Sequence, residues 1–186
     1  MEILTVALAT FFTGIGFMIA RNGFMAKVTF RQEETPQTHL VYRLHRGDYT
    51  QAAAQIKKIE KQLDEAGLSH GAGFGIFMDN PHETEKSTLR SLLGFLVTDT
   101  TATLPEGLHY ATLPVSDNVV TEFPYKGEFS IAMGALKVYT ALGRYRKASG
   151  LDEAPVMEIY DKEAGLIRYL VLSGIPASFL DGMAKA

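Results

Sequence analysis

One four-residue pattern constrains the fold of this chain more than any other feature, because it occurs twice. Arg46-Gly47-Asp48-Tyr49 returns as Lys126-Gly127-Glu128-Phe129, a cation, a glycine, an acid and an aromatic ring. Each copy follows a strand-like run, residues 39–44 and 118–123, and each opens a helical pattern. A second echo sets Gly75-Ile76-Phe77-Met78-Asp79 against Met157-Glu158-Ile159-Tyr160-Asp161, and a third sets residues 92–97 against 166–171. Echoes in one order indicate a duplicated unit. Duplicated units commonly build a site between their copies, so a shared cleft is the expected place for function.

The unit reads as β-α-β-β. In the first copy, residues 39–45 are strand-like, and Asp48 and Gln51 are spaced as an N-cap and its N3 partner. Ala52, Ala53, Ile56, Ile59 and Leu63 recur at helical spacing up to a natural stop at Gly67. Strands follow at 73–78 and 92–98, separated by a polar excursion over 80–88. The second copy repeats this with a strand at 119–123 and a helix over 129–147 that ends at Gly150 and turns Ile131, Ala135, Val138, Leu142 and Tyr145 inward. A hairpin of strands 156–161 and 166–172 closes it across Lys162-Glu163-Ala164-Gly165. Between the copies, residues 104–114 supply a linker with an extra strand. The expected class is α+β, with repeat one over 38–98, repeat two over 117–173, a linker over 22–37 and a tail over 174–186.

Ahead of this domain, residues 3–20 form an uncharged, mostly apolar run. As a helix rising ~1.5 Å per residue it would reach ~27 Å, close to the hydrocarbon thickness of a bilayer. Glu2 in place of a basic n-region argues against a cleaved signal, and the run lacks the polar face of a core helix. The expectation is a membrane anchor over 1–21. Arg21, Lys27 and Arg31 follow it and no Lys or Arg precedes it, which places the soluble domain on the cytoplasmic side.

A net charge of −3 provides no basic field of the kind nucleic-acid binding needs, so no nucleic-acid partner is expected. Without cysteine there is no disulfide and no thiolate nucleophile. The five histidines are scattered and none sits at metal-ligand spacing with a second ligand, so neither a metal nor a cofactor is expected. The glycine-rich 71–75 stretch precedes a strand instead of following one, which fails the context of a dinucleotide loop.

Chemistry concentrates in the strand Val156-Met157-Glu158-Ile159-Tyr160. Alternation puts Met157 and Ile159 on one face and Glu158 and Tyr160 on the other. Met157 and Ile159 suit packing under a helix, which would leave Glu158 and Tyr160 on an open face, joined by Tyr169 across the hairpin. An acid ringed by aromatics can hold a lipophilic cation, or act as a general base with a raised pKa. It can also be an edge-of-core Glu paired with Arg168 or solvated. Tyr42, Phe95 and Met78 are the further candidates for the lining.

These motifs resemble the GyrI-like small-molecule-binding family, and within it the membrane-anchored branch that includes the testis-expressed endoplasmic-reticulum autophagy receptor. The matching segments are His45-Arg46-Gly47-Asp48-Tyr49, Phe77-Met78-Asp79-Asn80-Pro81, Val119-Val120-Thr121 with Phe123-Pro124-Tyr125, and Met157-Glu158-Ile159-Tyr160. The resemblance implies a pseudo-two-fold domain with a cytoplasm-facing pocket for hydrophobic or cationic small molecules and Glu158 as its carboxylate. Some relatives hydrolyse cyclopropane-containing compounds with a pocket Glu, so a hydrolase using Glu158 stays open beside a binding module and an interaction scaffold with a vestigial pocket. Phe77-Met78 stands where that branch carries two tyrosines. No protein partner or autophagy role is assigned.

Overall fold

The computed structural model describes residues 26–185. Eight strands form one antiparallel sheet: β1 (Arg31–Thr35), β2 (Thr38–Arg46), β3 (Gly73–Phe77), β4 (Arg90–Val97), β5 (His109–Leu113), β6 (Ser116–Pro124), β7 (Val156–Asp161) and β8 (Leu166–Val171). Their order is β1-β6-β8-β7-β3-β4-β2-β5. Among the described residues three α-helices accompany the sheet: α1 (Ala52–Glu65), α2 (Glu128–Ser149) and α3 (Ala177–Met183). The duplicated β-α-β-β unit is plain in this order. β2-β4-β3 and β6-β8-β7 are the two copies, joined where β3 pairs with β7.

Each copy also exchanges a strand with the other. β1 precedes the first copy but pairs with β6 of the second, and β5 precedes the second but pairs with β2 of the first. Only Pro36 and Gln37 separate β1 from β2, so those strand ends lie within ~11 Å of each other. Six strand spacings of ~4.8 Å would hold them ~29 Å apart in a flat sheet. The sheet therefore curls until its two ends nearly meet.

The stretch expected to be a linker thus contains a strand. Its charged side chains misled the sequence reading because β1 is an edge strand, and they are spent on ion pairs. Arg31 pairs with Glu122 at 2.8 Å and Glu33 pairs with Arg168. The turn shared by the two repeats follows from backbone geometry. Gly47 and Gly127 sit at φ 140° and 104°, values that L side chains rarely adopt, so glycine marks both strand-to-helix corners.

The two faces of the sheet are packed differently. Away from α1 and α2 lies one continuous cluster that includes Leu40, Phe74, Ile76, Leu92, Val120, Met157 and Leu170. α3 closes it with Leu180 and Met183, so the expected tail is part of the core. The helix face carries two separate clusters, one under α1 around Val41, Ile59, Leu63 and Phe95, and one under α2 around Phe123, Val138, Leu142 and Tyr169. Between these two clusters run the central strands β3 and β7. Truncating the fully buried Leu180 to Ala is expected to cost about 2–5 kcal/mol of stability in urea unfolding, whereas a loose tail would give no change.

Candidate functional site

The register of the central strands places the candidate acid. Glu158 pairs with Gly75 on one side and with Tyr169 on the other, and Tyr160 pairs with Gly73. Val156, Glu158 and Tyr160 share one face of β7, as alternation required, but it is the helix-covered face. Met157 and Ile159 point instead into the cluster closed by α3. The expected open face is therefore corrected. Apolar side chains suit either side of this sheet, and the side away from α1 and α2 is the more completely apolar one.

Glu158 is 3% exposed and accepts hydrogen bonds from two phenols, Tyr139 Oη at 2.8 Å and Tyr160 Oη at 3.0 Å. Tyr139 comes from α2 and stands edge-on to Tyr169 at 6.3 Å between ring centroids. Gly73 and Gly75 leave β3 without side chains opposite Tyr160 and Glu158, and a Cβ at Gly75 would meet the Phe77 ring at 3.1 Å. Gly134 of α2 opens a similar gap, because a Cβ there would lie 2.6 Å from Tyr169 Oη. The Tyr169 hydroxyl itself is buried with no hydrogen-bond partner.

Among the described residues, no ion pair includes Glu158. Arg168 lies on the opposite face and is paired with Glu33, which removes the reading of Glu158 as an Arg168 partner. Burial raises the Glu158 carboxyl from 4.5 to about 7, against the lowering effect of the two phenol bonds. Burial, and the nearby carboxylate, push Tyr139, Tyr160 and Tyr169 above the ordinary tyrosine range, so all three stay neutral, and Tyr139 and Tyr160 donate to Glu158. Among the described residues no group of His, Asp or Glu could hold a metal ion.

The other expected lining residues do not join this cluster. Tyr42 lies on the α3 side, where its hydroxyl donates to Met183 O at 3.1 Å, and Met78 packs against the same cluster. Phe95 shares the helix face but is buried under α1, two strands from β7. The sequence reading also missed Tyr139. Its signal was a tyrosine on the inner edge of a helix already carrying a full inward set.

The ladders also correct the second echo. Phe95 faces Gly73 in the first copy exactly where Tyr169 faces Glu158 in the second, so the counterpart of Glu158 is Gly73 and not Ile76. A two-fold axis through the sheet keeps faces, and Ile76 lies on the wrong one.

The family model described as the GyrI-like small molecule binding domain matches residues 29–166. The chain belongs to this family. Solved structures with this fold include the EcmrR C-terminal domain, at 13% identity, a TM-score of 0.60, and coverage of 77% of this chain and 96% of that one. SAV2435 bound to tetraphenylphosphonium is similar at 13% identity and a TM-score of 0.54, covering 76% and 92%. An integron cassette protein from the mobile metagenome of Vibrio cholerae matches at 13% identity and a TM-score of 0.51, covering 76% and 94%. At these identities the likeness is one of fold. No curated protein matches the chain.

The raised carboxyl of this GyrI-like domain ties stability to pH. An unfolded Glu158 releases its proton near 4.5 and the folded one near 7, so the native state binds more protons between those values. The contribution of Glu158 to stability is then greatest below about 4.5, is lost as pH rises towards about 7, and levels off above it. Glu158→Gln is expected to remove this slope, gaining on the wild type by up to roughly 3 kcal/mol between pH 5 and pH 8. Parallel urea curves for the two proteins at both pH values would overturn the assignment.

Proposed function

We propose that this chain is a membrane-anchored binding module for hydrophobic cations, which it receives at Glu158 between Tyr139, Tyr160 and Tyr169. One observation carries the reading: a carboxylate held inside the protein by two neutral phenols, with no cation paired to it among the described residues. Such a group is costly to bury alone and is relieved by a positive charge that arrives with its own apolar surface. The phenol rings present negative faces to that charge, and the unpartnered Tyr169 hydroxyl awaits an acceptor. SAV2435, which shares the fold, is known bound to tetraphenylphosphonium, a cation of this class.

The site is closed as it stands. Two cavities of the described surface, one lined by residues such as Leu68 and His70 and one by Leu151 and Pro155, do not include Glu158. Tyr139 is the movable part, since its residue is 37% exposed while its hydroxyl is turned in to the carboxylate. Access requires Tyr139 to give up that bond.

The anchor over residues 3–20 lies outside the described residues, and among those described no helix is long and apolar enough to cross a membrane. What supports anchoring is the length and composition of that run, and the cations after it support a cytoplasm-facing domain.

Titrating residues 26–185 with tetraphenylphosphonium, followed by calorimetry, tests the carboxylate. Glu158→Gln is expected to weaken binding by tenfold or more at pH 8, and equal affinities would sink its role. Because the cation favours the ionised acid, wild-type affinity should rise roughly 30-fold from pH 5.5 to pH 8. A carboxyl titrating near neutrality also suits general-base catalysis, so a hydrolase is the second reading. Turnover of strained or ester substrates that disappears in Glu158→Gln would favour it over a pure binder.

A further inference from the structure

The two helices of the duplicated unit occupy equivalent places yet present opposite outer faces. α1 turns Lys57, Lys58 and Lys61 to solvent. α2 turns out Phe129, Ala132 and Leu136, spaced along one side of the helix with Tyr139 at the edge of that side, Phe129 54% and Leu136 66% exposed. Further along the same side stand the exposed cations Arg144 and Lys147. Since α1 fills its place with a charged outer face, the fold does not require an apolar one on α2.

The chain itself shows what lies beside this face. Lys137 of α2 donates to the Ala26 carbonyl at 2.7 Å, and Val28 and Phe30 pack into the cluster beneath α2, Phe30 at 4.9 Å from the Tyr145 ring. Residues 26–30, the described residues nearest in sequence to the apolar run 3–20, therefore lie against α2. From Ala26, held by Lys137 of α2, to Ala20 the chain can span at most ~21 Å, so whatever that run enters lies within that reach of Ala26.

We propose that the outer face of α2 rests on the lipid surface of the bilayer that carries residues 3–20. Phe129 and Leu136 enter the interface, and Arg144 and Lys147, with Lys27, meet anionic headgroups. This rests on the anchored reading above and deepens it. Tyr139, whose hydroxyl closes Glu158, lies at the edge of the docked face, so a lipophilic cation reaches the carboxylate from the bilayer and not from bulk water.

The absence of cysteine allows single labels to be placed cleanly in the full chain. Leu136→Cys, Lys61→Cys and Gly14→Cys are each labelled with a bimane dye and reconstituted in phosphatidylcholine vesicles containing phosphatidylserine. Nitroxide-bearing lipids then quench the dyes. The expected result is strong quenching at positions 14 and 136, with quenching at 136 at least twofold that at 61. Quenching at 14 with no difference between 136 and 61 would overturn docking while leaving the anchor in place. Loss of quenching at all three positions would remove the anchor and the docking together. If the dye at 136 is shielded from aqueous iodide but not quenched by lipid, a second copy covers the face and the proposal falls. Phe129→Cys repeats the measurement independently of Leu136.

Discussion

A buried carboxylate with no cation paired to it among the described residues organises the helix face of this domain. Glu158 is enclosed between β3, β7, β8 and α2, and its charge is met only by two phenols. Holding it there demands room that side chains would otherwise fill. Gly73 and Gly75 clear the neighbouring strand, and Gly134 lets α2 come down over Tyr169. These glycines do not serve turns. Gly134 is the one whose added Cβ would strike the cluster, at Tyr169, whereas at Gly73 or Gly75 it would meet Phe95 or Phe77 of the first copy.

The duplication makes this legible by contrast. In the first copy the pair equivalent to Glu158 and Tyr169 is Gly73 and Phe95, a backbone and a hydrocarbon ring. The scaffold is thus indifferent to a charge at this position, because one half folds around nothing polar there. Glu158 and the hydroxyl of Tyr169 are additions to one copy that its twin shows to be unnecessary for the fold. A residue that costs stability, and whose equivalent is dispensable, is better explained by a ligand than by architecture.

How much could be read without the structure follows from which interactions leave a local trace. Alternation along β7, the hairpin that brings Tyr169 beside Glu158, and the paired corners at Gly47 and Gly127 all depend on neighbours within a few residues, and each was legible. The face on which Glu158 lies depends on the curl of the whole sheet. That curl comes from strands exchanged between copies, β1 to β6 and β5 to β2, and nothing near Met157 or Ile159 encodes it. The polar sequence of β1 hid a strand whose charges are used at the sheet edge, and α3 looked like a tail because Leu180 and Met183 find their partners only in the closed sheet. The second echo failed for a related reason: short apolar strands resemble each other in several registers, and an odd slip changes the face. Tyr139 reaches Glu158 across 19 positions of sequence, so no local pattern tied the two together.

On the proposed reading as a cation binder, the closed state also determines which cations the site would accept. Opening it exchanges the Tyr139 bond to Glu158 for a contact between the carboxylate and a ligand charge, two interactions of comparable strength in a buried site. The balance is then decided by what the ligand gives up to enter. A compact, strongly hydrated ammonium loses several kcal/mol of solvation on burial, which the displaced phenol leaves uncompensated. A cation whose charge is spread beneath aromatic or alkyl groups holds its water weakly, and its apolar surface gains about 25 cal/mol for each Å² removed from solvent. Selection for lipophilic cations therefore needs no dedicated pocket of fixed shape. It follows from a sealed acid, a phenol that yields, and the difference in hydration between one kind of cation and another.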